Sequence, residues 1–147
     1  MSADYWEISR LISRYAELLN LGQLDEVGEL FRYGRITSPD GSFSVEGPEA
    51  VTGMYKGSLV MGEKLPDTLI ITSNLQIDVE GDAATSKAYF TAMHQMKGAI
   101  VPVIAGRYHD KFRRVDGTWW FEERCMFTDL IGDLSTHLNH EIDHEQH

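Results

Sequence analysis

Two titratable side chains fall where their neighbours are apolar. Along residues 83–96, the alternate positions Ala84, Ser86, Ala88, Phe90, Ala92, His94 and Met96 share one face of a strand. His94 is the polar member near the end of that row, and an imidazole so placed can accept and return a proton near neutral pH. Along residues 106–113, Gly106, Tyr108, Asp110 and Phe112 share a face, with Arg107, His109, Lys111 and Arg113 on the other. A carboxylate in the apolar set demands a partner or a purpose. Arg124, a tyrosine hydroxyl or backbone N–H groups would supply the partner; an orienting or acidic role in proton transfer would supply the purpose. His94 and Asp110 are therefore the candidate catalytic residues. Tyr15, Tyr55 and Tyr108 add phenol hydroxyls to otherwise apolar stretches. A direct His94–Asp110 dyad is not expected. With a turn near 97–101, His94 falls opposite about residue 105, which leaves Asp110 roughly 16 Å further along at about 3.3 Å per residue.

The elements that must position these groups are legible. Ile8, Leu11, Ile12, Tyr15 and Leu19 make one stripe of a first helix, with Asp4 as its expected cap, Glu7 at the spacing of a capping box, and Asn20-Leu21-Gly22 at its end. Tyr15 therefore doubles as a core residue, and Asn20 as a helix-end cap. A second short helix is expected near 24–32. A short strand pair follows around the Pro39-Asp40-Gly41 turn, and a third helix opens at Gly47-Pro48. From Thr68 the pattern changes to four long strands, Thr68–Val79, Ala83–Met96, Val101–Val115 and Thr118–Asp129. Turns at Glu80-Gly81-Asp82 and Asp116-Gly117 close the first and last pairs. The apolar alternation slips between Ile70 and Ile77, and Asn74 is placed to stabilise a bulge there. Helices first and a meander after is an α+β pattern, with three helices packed on a curved, mainly antiparallel sheet.

Composition narrows the function classes. The 147 residues carry a net charge of −10 and no basic patch, which argues against nucleic acid and anionic membrane as partners. The cationic row of 107–113 reads as the outer face of a strand, paired with Glu122 or with a second subunit. No apolar run approaches the roughly 20 residues of a membrane span. A lone Cys125 and an N-terminus without an apolar leader point to the cytoplasm. Residues 1–130 read as one domain and 131–147 as an acidic tail, in which His137, His140, His144 and His147 are spaced three, four and three apart. Such a row could hold zinc or nickel on one helix face. A frayed terminus is the expectation, and no metal or cofactor is expected.

Three segments carry a family resemblance. They are Ile8–Asn20, Ser73–Ala84, and Gly106-Arg107-Tyr108-His109-Asp110 followed by Asp116-Gly117-Thr118-Trp119. In this order and spacing, over about residues 5–130, they resemble the SnoaL-like family of the nuclear-transport-factor-two-like superfamily. The nearest branch is similar to scytalone dehydratase, a hexachlorocyclohexane dehydrochlorinase and a bile-acid dehydratase. That resemblance implies a cone-shaped α+β barrel with a buried pocket, assembled as a homodimer or homotrimer. It also implies cofactor-independent proton-transfer chemistry (dehydration, isomerisation or cyclisation) on a small hydrophobic cyclic molecule. In those enzymes an aspartate near the end of the first helix orients a histidine on the first long strand. The two positions fall here at Asn20 and at Ile70 (or Leu69), which have no proton chemistry. Pockets of that branch use tyrosines to hold substrate oxygens, which implies Tyr15, Tyr55 and Tyr108 as anchors, with Asn20, Ile70 and Asn74 as further pocket-lining candidates. The same resemblance leaves two non-catalytic alternatives: a ligand-binding or degenerate member without the dyad, or a scaffold subunit like the β subunit of ring-hydroxylating dioxygenases.

Overall fold

A computed structural model describes residues 3–59 and 66–132. In chain order it contains α1 (Ala3–Asn20), α2 (Leu24–Glu29), β1 (Arg35–Thr37), β2 (Ser44–Glu46), α3 (Pro48–Ser58), β3 (Thr68–Glu80), β4 (Ala83–Met96), β5 (Ala99–Val115) and β6 (Thr118–Ile131). Of the expected tail, Ile131 closes β6, and residues 133–147 with the four histidines lie outside the described residues. No described helix is long and apolar enough to cross a membrane.

The stripe on α1 buries Ile8, Ile12, Tyr15, Leu18 and Leu19. The helix ends because Gly22 takes a φ of 71°, and its N–H and that of Gln23 reach back to the carbonyls of Leu19 and Leu18. Asn20 is therefore not the cap, and its side chain is left for other work. Asp4 is not a cap either. It sits inside the first turn, where its carboxylate accepts bonds from Trp119 Nε1 and Arg114 Nη1, both at 3.0 Å, and so ties the helix start to the last hairpin.

The sheet order is β2-β1-β6-β5-β4-β3, antiparallel throughout except for the β1–β6 pair. The β5–β6 turn works because Asp116 and Gly117 both adopt positive φ, 50° and 80°. Register shifts interrupt the long ladders at Ser73/Gln76, Ala92/Met93, Ala105/Gly106 and Lys111/Phe112. Each extra residue bends its strand and adds twist, and together they curl the sheet around the helices. The first of them carries Asn74 at φ 57°, as the slipped alternation suggested. The bulge residue itself is exposed.

The last shift decides what faces inward. Asp110 pairs with Arg124, Lys111 with Glu123, and Phe112 with Phe121, so Glu122 is the extra residue. In a regular strand, residues three apart such as Phe121 and Arg124 would occupy opposite faces; the bulge turns both inward, where they are fully buried. The outer cationic row is consequently matched by Glu123 and Asp129 rather than by Glu122. Arg107 chelates Asp129 at 2.7 and 3.0 Å, and Lys111 lies 3.9 Å from Glu123.

Candidate functional site

Inside the cone, one polar group is fully enclosed. Arg124 Nε and Nη2 donate to the two oxygens of Asp110, each at 2.8 Å, and Ser86 Oγ donates to the same carboxylate at 3.2 Å. Neither charged side chain has any exposed surface. The guanidinium carbon lies 3.7 Å from the centre of the Tyr108 ring, 4.3 Å from Tyr15 and 4.9 Å from Phe121. Rings on several sides give the cation quadrupole stabilisation that water would otherwise supply. Burial works against its charge, but the Asp110 carboxylate outweighs that and holds the Arg124 pKa above its ordinary value. A guanidinium is a planar fork, so with Nε and Nη2 committed to Asp110 the Nη1 donors point away from the carboxylate. Nη1 is buried and meets no described acceptor at hydrogen-bond geometry, although the Tyr15 hydroxyl lies close enough to the guanidinium to feel it.

Three tyrosines complete the cluster. The hydroxyls of Tyr15 and Tyr55 hydrogen-bond one another across the α1–α3 gap. Tyr108 stacks on Phe90 with ring centres 4.6 Å apart, and Tyr15 meets Tyr108 edge-on at 6.1 Å. Burial raises the pKa of all three phenols, with Arg124 opposing it only in part. At neutral pH they are hydroxyls able to donate or accept, not bases.

Asn20 and Ile70 lie close together at the end of α1. Asn20 Nδ2 donates to the Ile70 carbonyl at 2.9 Å, and the Ile70 N–H donates to Asn20 Oδ1 at 2.8 Å. Since β3 is an edge strand whose other side pairs with β4, the Asn20 amide acts as a one-rung substitute for a further strand.

His94 sits near the far end of β4, opposite Val101 rather than residue 105. The expected loop is shorter than supposed, because β5 begins at Ala99. Asp110 pairs with Ser86, eight residues from His94, so the separation along the strand is about 26 Å at 3.3 Å per residue, more than the sequence estimate. The structure does not bring these two residues together. His94 does lie near Ile70: Ile70 pairs with Ala92, which makes His94 its diagonal neighbour, typically at about 7–8 Å. Its Nδ1 is 3.1 Å from the Asp67 carbonyl oxygen. A carbonyl only accepts, so this bond needs the proton on Nδ1, and a lone pair falls to Nε2 whenever the ring is neutral.

The SnoaL-like domain family matches residues 1–125. The chain belongs to that family. Among solved structures, this SnoaL-like chain resembles an NTF2-like protein with a cystatin-like fold from Novosphingobium aromaticivorans, at 22% identity and a TM-score of 0.73, over 90% of this chain and 86% of that one. It also resembles a candidate scytalone dehydratase from the same organism, at 24% identity and a TM-score of 0.67, over 86% and 85% of the two chains. The hexachlorocyclohexane dehydrochlorinase LinA gives 19% identity and a TM-score of 0.72, over 90% of each chain. At these identities the likeness is one of fold. No curated protein matches in sequence.

Within this SnoaL-like domain, the two positions expected to hold an Asp–His dyad do touch, but as an amide and a peptide group. Of the other expected site residues, Tyr15, Tyr55, Tyr108 and Asp110 converge, His94 and Ile70 are neighbours at the other end, and Asn74 lies outside on the bulge. Sequence reasoning offered Arg124 only as a partner for Asp110 and passed over Ser86. The available signal was only that β6 carries an arginine beside a strand with a lone buried acid.

Proposed function

We propose that this SnoaL-like domain binds a small hydrophobic ring compound inside the cone. Arg124 Nη1, with hydroxyls of the tyrosine cluster, would hold an oxygen of that ligand. The observation that carries this reading is the buried Nη1 with no partner. An unmatched buried donor costs about 1–3 kcal/mol, and an acceptor brought by a ligand would remove that cost. The Asp110 carboxylate is taken up by Arg124 and Ser86, and the tyrosine hydroxyls beside it have raised pKa, which suits binding and polarising an oxygen rather than removing a proton. A thermal-shift screen of hydrophobic ring compounds tests the proposal. Hits are expected to stabilise the protein, by about 2.7 kcal/mol at 100 times their dissociation constant. Tyr55→Phe should weaken hits that carry an oxygen and spare those that do not. A screen in which no ring compound binds would end the reading.

One observation favours a catalytic version, a cofactor-independent dehydratase, isomerase or cyclase. His94 has its Nδ1 fixed by Asp67 and its ring on the face that carries the buried small residues, diagonal to the position where the family resemblance puts a histidine. In that version His94 transfers the proton on a ligand bound at its own end of the cone, beside Ile70, and the Arg124 cluster at the other end takes no part in the step. Turnover of a hit that survives His94→Ala would rule it out. Self-association has a surface available in either version. Leu69 and Ile71 on β3, Tyr89 on β4 and Leu130 on β6 stand exposed on adjoining rows of the outer sheet face. Light scattering on Tyr89→Lys against the unaltered protein tests whether a second copy covers it.

A further inference from the structure

The class of oxygen that the site accepts follows from its charge balance, given the ligand site proposed above. Among the buried described residues only Asp110 and Arg124 are charged, and each is 0% exposed. Their two-point contact makes the interior electrically neutral before any ligand arrives. Nη1 still needs an acceptor. A carboxylate placed there would set a second anion across one guanidinium from Asp110 and leave an unpaired buried negative charge, the arrangement that dry interiors tolerate least. A ketone, ester carbonyl or phenol oxygen supplies lone pairs without that excess. The three phenols of the same cluster follow this rule, since burial disfavours their anions even beside a cation. Ser86 strengthens the effect by donating a third bond to Asp110, which keeps that carboxylate in place as the counter-ion.

We propose that Asp110 is the specificity-determining residue: by neutralising Arg124 in the enclosed interior, it makes the site take a neutral oxygen acceptor and reject a carboxylate. The test uses three bicyclic probes of similar size, 1-tetralone, 2-naphthoate and naphthalene, titrated calorimetrically into the protein at neutral pH. The unaltered protein should bind 1-tetralone at least about tenfold more tightly than 2-naphthoate, and more tightly than naphthalene. Asp110→Asn removes the negative charge with little change in shape, and should move the preference toward 2-naphthoate by at least about tenfold. Equal or tighter binding of 2-naphthoate by the unaltered protein overturns the inference, whether or not Asp110→Asn folds. So does a folded Asp110→Asn variant whose preference is unchanged. Naphthalene binding as tightly as 1-tetralone would show that the interior does not read an oxygen, and would leave the ring-compound site standing. Failure of all three probes to bind would count against that site itself, and against this inference with it.

Discussion

At the Asn20–Ile70 contact, two donors meet two acceptors within 2.9 Å, and both backbone groups of Ile70 are satisfied. At Arg124, two nitrogens are satisfied by Asp110 and the third is not, although it is more deeply buried. Both are polar contacts in largely apolar surroundings, and both join elements distant in sequence. They differ in remainder. The first is part-buried, so it holds α1 to the edge of the sheet while the second N–H of the Asn20 amide is within reach of water. The second is open by one donor pair. Within one fold, the place where family resemblance expects chemistry has become a latch, and the unsatisfied group lies elsewhere.

The largest expected effect comes from breaking the open site. Arg124→Met leaves Asp110 buried without its counter-ion and should cost about 3–5 kcal/mol in urea unfolding. Arg124→Met combined with Asp110→Leu should cost clearly less than the single change, because no buried charge remains. A loss below about 1 kcal/mol for the single variant would mean that the cluster is hydrated, and the contrast with the Asn20 latch would disappear. The latch itself comes next. Asn20→Ala unties both backbone groups of Ile70 and should cost about 1–3 kcal/mol, with faster hydrogen exchange at the Ile70 amide. Asn20→Asp keeps the acceptor for that amide and loses the donor to the carbonyl, so it should fall between.

The smallest effect near neutral pH, and one that grows in alkali, sharpens the view of the interior as closed to anions. Tyr15, Tyr55 and Tyr108 have folded pKa values above 10.0, chiefly through burial. Above pH 10 the unfolded chain releases these protons while the folded protein keeps them. Stability is therefore full below pH 10 and declines as the pH rises toward the folded values, by about 1.4 kcal/mol per unit for each tyrosine. Tyr55→Phe should reduce the slope of that alkaline limb by about a third. An unchanged slope would mean that Tyr55 is already open to water.

The long strands, both tight hairpins and the α1 stripe were legible because each rests on a local period or a turn dipeptide. The Ser73/Gln76 bulge was also legible, as its apolar alternation visibly slips. The β6 bulge was not. Trp119-Trp120-Phe121-Glu122-Glu123-Arg124 has no clean alternation to interrupt, so the facing of Arg124 depends on its pairing with β5. Asp4 was misread for a related reason: its local position suits a cap, but the chain places Arg114 and Trp119 within reach of it. Asn20 and Ile70 are 50 residues apart, and no local pattern shows that an amide there would face an edge strand.

The extra residue in β6 has a consequence for how the chain can change length. Facing in a strand is a matter of odd and even, so removing one residue normally turns everything beyond it inside out. Loss of Cys125 would do so, sending Met126 outward from the interior. Glu122 is different, because it already breaks the count between Phe121 and Arg124. A chain shortened by that residue would have both still on the inner face, now by plain alternation, with less twist in the strand. Length variation in the β6 strand of this fold should therefore be tolerated at positions 122 and 123, with the charged pair preserved.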